Sequence, residues 1–217
     1  MRGVAARGLV GISSLIAAAY AFVIRPQMLR WGSTGEERAR RLPGDDIAPD
    51  ASYVTTRALT IGAPASAIWP WLVQMGQDRA GFYTHNWVER LLRSGIRDTS
   101  EIRPEWQHLA IGNLIRTNHD IGGKPMGWPV TAIDVGRALV VTSKSMPAGT
   151  YAFVIEPIDA DSSRLIVRDR ARWKLREWPF AALVYEPLHA YMETGLIKGV
   201  KRRAEAVQHG LPGIPST

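Results

Sequence analysis

One long amphipathic helix closes this chain, after a series of short strands joined by tight turns. Its apolar residues recur at every fourth position: Val184, Leu188, Met192, Leu196, Val200 and Ala204. Basic residues crowd its last turns, where cations complement the helix dipole, namely Lys198, Lys201, Arg202 and Arg203. Gly210 and Pro212 end the helix. A helix with one apolar stripe must bury that stripe against another layer, and the strands before it predict that this layer is a sheet.

The predicted strands follow one another with short connections. Residues 53–61 are rich in β-branched side chains and predict the first strand. Five more strands are predicted later in the chain, at residues 113–118, 129–135, 138–144, 151–158 and 164–173. The polar run from Asp159 to Ser163 is typical of a hairpin turn. Short connections favour an antiparallel meander, so the predicted class is α+β.

Two short helices are predicted between the first strand and the second. Pro64 opens one that continues through residue 74, and Pro70 within it predicts a kink or a break. The other is predicted at residues 84–93. A curved sheet that wraps around the closing helix would leave a cavity between the two layers, and the short helices would close one end of it.

The N-terminus carries an uncharged, mostly apolar run over residues 8–24, between Arg7 and Arg25. A spanning helix needs about 17–25 such residues, so we expect a transmembrane anchor over residues 1–25. A cleaved signal peptide is the alternative, because Ala19-Tyr20-Ala21 resembles a cleavage site. More basic residues follow the run than precede it, which predicts a single-pass protein of the cell membrane with its domain in the cytoplasm. Residues 26–50 are then a turn-rich linker, 51–210 the domain and 211–217 a tail.

Composition narrows the possible partners. The chain has no cysteine, which excludes disulfides, thiolate zinc sites and a cysteine nucleophile. Its formal net charge of +7 favours anionic partners. Beside a membrane anchor, the basic end of the closing helix could bind acidic lipid headgroups. No basic and aromatic recognition motif is present, so we do not expect nucleic-acid binding.

Several phrases resemble a known group. They are WGSTGEERARRLPGDD (31–46), YVTTRALTIGAPASAIWPWLVQMGQ (53–77), AGFYTHNWVERL (80–91) and METGLIKGVKRRAE (192–205). With these, the chain resembles the START/Bet v 1-like superfamily (SRPBCC), which includes polyketide cyclases and lipid-transport proteins, and is closest to its membrane-anchored bacterial branch. The resemblance implies a helix-grip fold, with a curved antiparallel sheet around a long C-terminal helix. It implies an apolar ligand such as a lipid, an isoprenoid or a polyketide, and it carries over no catalytic residue.

Aromatic residues concentrate where the resemblance would place the cavity. Large rings with one polar edge suit the wall of an apolar site, although each of them could equally belong to the core. The candidate ligand-binding residues are Trp69, Trp71, Tyr83, Trp87, Trp106, Trp128 and, on the closing helix, Met192. His85 and Glu89 complete the set, because their i, i+4 spacing places both on one helix face. That pair could also act as an acid/base couple.

Two further patterns allow more than one interpretation. Glu186, His189 and Glu193 can share one helix face, which would suit a metal ion or a solvated edge, and we expect no metal. Three alternating arginines, Arg168, Arg170 and Arg172, line one face of a strand. Leu165, Val167, Ala171 and Trp173 give that strand a better core face, so the arginines are expected to point outward as a solvated or membrane-facing row.

Motifs of common enzymes are absent. Neither a G-x-S-x-G, H-E-x-x-H nor Walker A pattern occurs, and Gly122-Gly123-Lys124 is followed by proline. We therefore expect no cofactor and a membrane-tethered binding protein for an apolar small molecule. The alternatives are a cyclase or dehydratase that acts on such a molecule, and a regulatory membrane protein with a protein partner.

Overall fold

Six antiparallel strands form one sheet in the order β1-β6-β5-β4-β3-β2. The computed structural model describes residues 15, 18–84, 98–121, 124–143 and 148–210. The strands are β1 (Tyr53–Ile61), β2 (Leu114–Ile121), β3 (Lys124–Asp134), β4 (Ala138–Ser143), β5 (Ala148–Pro157) and β6 (Ser163–Arg172). The first strand therefore returns to pair with the last, as β1 pairs with β6 from Tyr53 opposite Ala171 to Ile61 opposite Ser163.

The helices lie before, between and after the strands. A π-helical turn (Tyr20–Ile24) leads into α1 (Arg25–Leu29), and α2 (Gly35–Ala39) follows. After β1 comes α3 (Ala65–Val73), which continues unbroken through Pro70. After β6, α4 (Trp178–Phe180) and a second π-helical turn (Ala181–Tyr185) lead into the long closing helix α5 (Glu186–Gln208). The helix predicted at residues 84–93 lies almost entirely outside the described residues.

The main core lies between the inner face of the sheet, α3 and α5. On the sheet side, strands contribute alternate residues such as Ile61, Phe153 and Leu165, none of them exposed to solvent. Trp71 of α3 and Val200 of α5 complete this core. An antiparallel sheet packed on a long C-terminal helix is the arrangement of the helix-grip fold, so the predicted fold is confirmed for the domain itself.

The outer face of the sheet carries the alternating arginines, as expected, and Arg168 and Arg170 are covered, whereas Arg172 keeps 62% of its side chain exposed. They hold the chain between residues 34 and 50, which we call the outer segment. Arg164 pairs with Glu37 at 2.7 Å, and Arg172 pairs with Asp50 at the same distance. Arg168 is buried and pairs with Asp45, also at 2.7 Å. Arg170 donates to the Ala48 and Pro49 carbonyls. Part of the expected linker is therefore packed against the sheet.

The apolar stripe predicted for the closing helix faces the sheet only in its second half. Leu196, Val200 and Ala204 are buried, whereas Val184 is 50% exposed and Leu188 is 48% exposed. An α-helix has about 3.6 residues per turn, so a residue at every fourth position drifts by roughly 40° per step. Over the length of the stripe this drift carries its N-terminal members away from the sheet. The face buried there instead carries two carboxylates, Glu186 and Glu193.

The anchor expected over residues 1–25 lies mostly outside the described residues. In the part of the chain that the structure describes, no helix has both the length and the apolar character that crossing a membrane requires.

Candidate functional site

Four charged or titratable side chains meet beneath the first half of α5, and we call them the polar cluster. Arg57 comes from β1 and Asp169 from β6, both at inward positions of the sheet. His189 and Glu193 come from α5, one turn apart on the same face. The site exists because two strands each place a polar residue inward where the closing helix also turns a polar face toward the sheet.

An ion pair lies at the centre of the cluster. Arg57 Nη1 donates to Glu193 Oε2 at 2.7 Å, and the two side chains are 0% and 1% exposed. His189 Nε2 lies 3.5 Å from Glu193 Oε2 and 3.8 Å from Asp169 Oδ2. The other ring nitrogen, His189 Nδ1, lies 3.4 Å from the Tyr53 hydroxyl. His189 is the most open member, with 19% of its side chain exposed, so it forms the edge of the cluster that a bound molecule can reach.

The ion pair is not fully satisfied. Arg57 Nη2 and Glu193 Oε1 are buried and make no hydrogen bond of normal geometry with any described residue, although the Tyr151 hydroxyl interacts with the Glu193 carboxylate and lowers its pKa. A buried polar atom without a partner costs about 1–3 kcal/mol, and most such atoms in native proteins have one. The cluster therefore keeps a buried donor without a partner on Arg57, and the Glu193 carboxylate can accept a further hydrogen bond.

Burial dominates the electrostatics of the cluster. It raises the pKa of Asp169 well above the ordinary carboxyl value, and the neighbouring Glu193 raises it further. Burial also raises the pKa of Glu193, against the lowering effect of Arg57. It lowers the pKa of His189 to about 3, with Arg57 as a second cause. His189 is therefore a neutral imidazole at neutral pH, and Asp169 keeps its proton to a higher pH than usual.

Aromatic rings surround the cluster on the inner side. Tyr185 stacks on His189, with ring centroids 5.2 Å apart and an angle of 9° between the planes. Tyr151 lies 6.0 Å from His189 and 5.3 Å from Trp128, again between ring centroids. Phe82 lies 5.6 Å beyond Trp128. The rings form a continuous apolar wall that leads to a hydrogen-bonding end, which is the chemical pattern of a site for an apolar molecule with one polar group.

The N-terminal helical residues close the cluster from the side. Arg57 Nε donates to the Met28 carbonyl at 2.8 Å, so the end of α1 is held by the same guanidinium that binds Glu193. Arg25 forms a two-bonded ion pair with Glu186, at 2.6 and 2.9 Å. The Tyr20 hydroxyl donates to the Ala182 carbonyl. A movement of these N-terminal residues would therefore break or shift hydrogen bonds at and beside the polar cluster.

The sequence-predicted ligand residues fall into different environments. Trp71 and Tyr83 lie in the core, 1% and 0% exposed, and the Tyr83 hydroxyl donates to the Trp71 carbonyl at 2.9 Å. Trp69 and Trp106 pack against the same core and are partly buried. Of the predicted aromatic residues that the structure describes, Trp128 belongs to the aromatic wall of the polar cluster.

The remaining predicted residues are Met192, which directly precedes Glu193 on α5, and three residues that the structure does not describe. Met192 lies on α5 beside Thr84, whose hydroxyl donates to the Met192 carbonyl at 3.1 Å. His85, Trp87 and Glu89 lie outside the described residues. That Met192, His85, Trp87 and Glu89 contact a ligand stays a prediction.

The basic end of α5 takes part in packing. Arg203 is 6% exposed, lies 3.6 Å from Asp98 and stacks over Tyr83. Lys201 pairs with Glu205, and Lys198 lies over the Trp31 ring. Binding of acidic lipid headgroups by this end of the helix stays a prediction.

Two residues of the cluster, Arg57 and Asp169, were not singled out by the sequence analysis, which considered His189 and Glu193 only as part of a metal-binding or solvated face. Arg57 stands at an inward position in a strand whose other inward residues are Tyr53, Thr55, Leu59 and Ile61. Glu186 and Glu193 are spaced by seven residues, with Ala190 between them, which places all three on one helix face. An inward arginine and a carboxylate face on the closing helix together predict a buried ion pair. Asp169 could be found only with the register of β6 against β1.

The described residues offer no stronger site elsewhere. Among them, no group of three or more His, Cys, Asp or Glu side chains could hold a metal ion. A pocket of about 190 Å³ lies on the outer face of the sheet, between the outer segment and the β3–β4 turn. Two of its three arginines have acidic partners, because Arg40 pairs with Glu156 at 2.6 Å and Arg137 lies 3.9 Å from Asp134. The polar cluster is therefore the stronger candidate.

Comparison with known proteins gives likenesses of fold. No family model and no curated protein matches the sequence. Solved structures that match include a Polyketide_cyc-like protein of Corynebacterium glutamicum, 9% identical over 72% of this chain and 94% of that chain, with a TM-score of 0.39. The Aha1 dimer of Colwellia psychrerythraea is 12% identical over 68% of this chain and 96% of that chain, with a TM-score of 0.40.

A third match is the di-domain ARO/CYC protein BexL of the BE-7585A biosynthetic pathway. It is 11% identical over 71% of this chain and 47% of that chain, with a TM-score of 0.41. The chain's own sheet order and long closing helix make it an α+β protein of helix-grip architecture, with a polar cluster buried beneath that helix. Fold likeness of this kind does not assign a ligand or an activity.

Proposed function

We propose that this protein binds an apolar small molecule with one hydrogen-bonding group, in the space between the sheet and the first half of α5. The apolar part lies along Trp128 and Tyr151, and the polar group reaches His189 and Asp169. A lipid, an isoprenoid or a polyketide-like molecule has this chemistry.

The observation that carries the proposal is the polar cluster itself. A buried ion pair contributes little net stability in general, because desolvation offsets much of the attraction between the charges. Here Arg57 Nη2 is also buried without a partner, and Glu193 Oε1 makes no hydrogen bond of normal geometry with a described residue. A ligand group that both donates and accepts, directly or through a water molecule, would satisfy these atoms. That gain would come only in the bound state, so it would favour binding.

We also propose that the protein is tethered to a membrane by the apolar run over residues 8–24. The support is the sequence of this run together with the exposure of its described end, where Phe22 is 82% exposed and Val23 is 53% exposed. Side chains of this size are rarely exposed next to one another in water. A tether would keep the site beside the phase in which apolar molecules dissolve.

Proton transfer on the bound molecule is a second candidate function. A carboxyl with a raised pKa next to a neutral imidazole supplies a proton donor and a proton acceptor at the same pH, and Asp169 and His189 are such a pair. An Asp169→Asn variant would then bind the molecule but leave it unconverted. If the co-purified molecule has the same structure in the wild type and in this variant, judged by mass, fragmentation and chromatographic retention, the second candidate fails.

The binding proposal is tested by purifying the full chain from membranes in a mild detergent and extracting it with organic solvent. Mass spectrometry then measures the amount of co-purified molecule per protein. The informative variant is His189→Phe, which keeps a ring against Tyr185 but removes both hydrogen-bonding atoms. One lost hydrogen bond of about 1.5 kcal/mol corresponds to roughly tenfold weaker binding, so we expect markedly lower occupancy.

Trp106→Phe is the matched control, because Trp106 is a partly buried aromatic residue that packs under Arg103 and takes no part in the wall. Its occupancy should equal that of the wild type. Equal losses in both variants would indicate a general effect on folding and would contradict the assignment of the site. An extract with no stoichiometric small molecule in the wild type would contradict the binding proposal.

A further inference from the structure

The first half of α5 and the helical turns before it turn their charged side chains inward and their apolar side chains outward. This is the reverse of a helix on a water-exposed surface. Their inward face includes two carboxylates, Glu186 and Glu193, which are 1% and 2% exposed. Their outward face is apolar over about three turns: Phe180 is 59% exposed, Leu183 68%, Val184 50%, Leu188 48% and Tyr191 41%. A surface helix normally turns its charges to water and its apolar stripe to the core.

The exposed face contains no charged side chain. Each residue between 179 and 192 that is exposed is apolar or aromatic, and the acidic residue in this range, Glu186, is buried with Arg25. The face is about 16 Å long, since an α-helix rises about 1.5 Å per residue. Two cations precede it: Lys174 is exposed, and Arg176, 79% exposed in its side chain, lies 3.7 Å from Glu177.

The N-terminal helical residues run beside this face and extend it. Tyr20 is bonded to Ala182, and five residues later Arg25 is bonded to Glu186. The two segments therefore lie side by side and run in the same direction. Phe22, Val23 and Ile24 are exposed between these two ties. We call the combined surface the apolar flank; it consists of Phe22, Val23, Ile24, Phe180, Leu183, Val184, Leu188 and Tyr191.

We propose that the apolar flank lies in the surface of a lipid bilayer, as a second point of membrane contact besides the N-terminal run. A bilayer is the expected partner of this surface because the surface is continuous with the N-terminal apolar run. No charged residue separates Phe22 from the apolar residues that precede it in the sequence. The flanking cations suit acidic headgroups. An amphipathic helix of this kind buries its apolar face about 5–10 Å into the boundary between headgroups and acyl chains.

This arrangement deepens the proposed function, on whose membrane tether it rests. Leu188 of the flank is followed directly by His189 of the polar cluster. The flank therefore brings the rim of the site to the bilayer, and the ligand class that it implies is a molecule dissolved in the membrane. Such a molecule could pass from the lipid to the aromatic wall without crossing water.

The absence of cysteine from the chain makes a direct test possible. Single cysteines are introduced into the full-length protein as Leu183→Cys and Leu188→Cys, and each is labelled with an environment-sensitive fluorophore. The control variants are Val135→Cys and Ile158→Cys, at turns at the other end of the sheet. Their native side chains are equally apolar and 77% and 56% exposed. A Phe22→Cys variant reports on the tether.

The labelled proteins are reconstituted into vesicles of phosphatidylcholine and phosphatidylglycerol that carry a nitroxide quencher on part of the acyl chains. We expect the labels at positions 183 and 188 to lose most of their emission, and those at 135 and 158 to keep theirs. Circular dichroism confirms that each variant is folded before its result is counted.

Three outcomes would overturn the inference. If the label at position 22 is quenched but those at 183 and 188 are not, the tether stands and the second contact fails. If none of the three is quenched, the tether fails with it. If the unlabelled Leu183→Cys protein forms a disulfide dimer and its label escapes quenching, the flank contacts a second copy of the chain instead of lipid.

Discussion

The ion pair between Arg57 and Glu193 allows a sharp test of whether the polar cluster serves stability or binding. In the Arg57→Met variant, Glu193 stays buried without its partner at 2.7 Å, and the Met28 carbonyl loses a donor. Breaking a buried pair from one side costs about 3–5 kcal/mol. At about 2–4 °C per kcal/mol for a chain of this size, the melting temperature should fall by roughly 6–20 °C.

Removal of both charges should behave differently. A buried ion pair replaced by apolar side chains of similar volume is often neutral, or stabilising by about 1–4 kcal/mol. The Arg57→Met/Glu193→Leu double variant should therefore recover most of the lost stability. If the cluster serves binding, the same variant should purify without the small molecule, because the groups that orient His189 are gone.

The assays are thermal and urea unfolding of each variant at equal protein concentration, combined with the amount of extracted ligand. Arg40→Met is the matched control, because it breaks a surface pair whose side chains are 35% and 39% exposed and should cost about 0–1 kcal/mol. An Arg57→Met variant as stable as this control would refute the buried pair. A double variant that is stable and still carries its ligand would refute the role of the pair in binding.

Three further predictions concern the packing and the charges around the site. Arg168→Ala should destabilise the protein by about 3–5 kcal/mol and open the outer segment to trypsin, whereas Arg172→Ala, in an exposed pair, should cost about 0–1 kcal/mol. Gly199→Ala should cost at least about 1–3 kcal/mol in urea unfolding, since its Cβ would lie 2.0 Å from a backbone oxygen, whereas Gly35→Ala meets only a side-chain end and should be neutral. Because the pKa of His189 is about 3 in the folded protein and about 6.5 when unfolded, the unfolded state takes up this proton first; stability should fall from pH 6.5 toward pH 3 by more than in a His189→Phe variant.

Much of the fold could be predicted from the sequence, because short local patterns determine where its strands and turns form. The strand predicted at residues 53–61 has the same bounds as β1, and the polar run before Ser163 does join β5 to β6. These elements depend on β-branched residues and turn chemistry, which act over a few residues. The outward direction of Arg168, Arg170 and Arg172 also follows from the two-residue period of a strand.

The packing of the outer segment over those arginines could not be predicted in the same way. Glu37, Asp45 and Asp50 stand at irregular intervals in a segment of turns, so no period relates them to the arginines of β6. Asp169 and Arg57 present the same difficulty, because 112 positions separate them and only the pairing of β1 with β6 brings them together. Contacts of this kind depend on topology, which a local pattern does not contain.

The most direct test of the central claim is photo-crosslinking from the aromatic wall. The photoreactive residue p-benzoylphenylalanine is placed at Trp128 in one variant and at Trp106 in another, and both full-length proteins are irradiated in their native membranes. The account predicts that the protein modified at position 128 gains the mass of one apolar small molecule, and that the protein modified at position 106 gains none. No adduct at position 128, or the same adduct at both positions, would contradict a binding site beneath the closing helix.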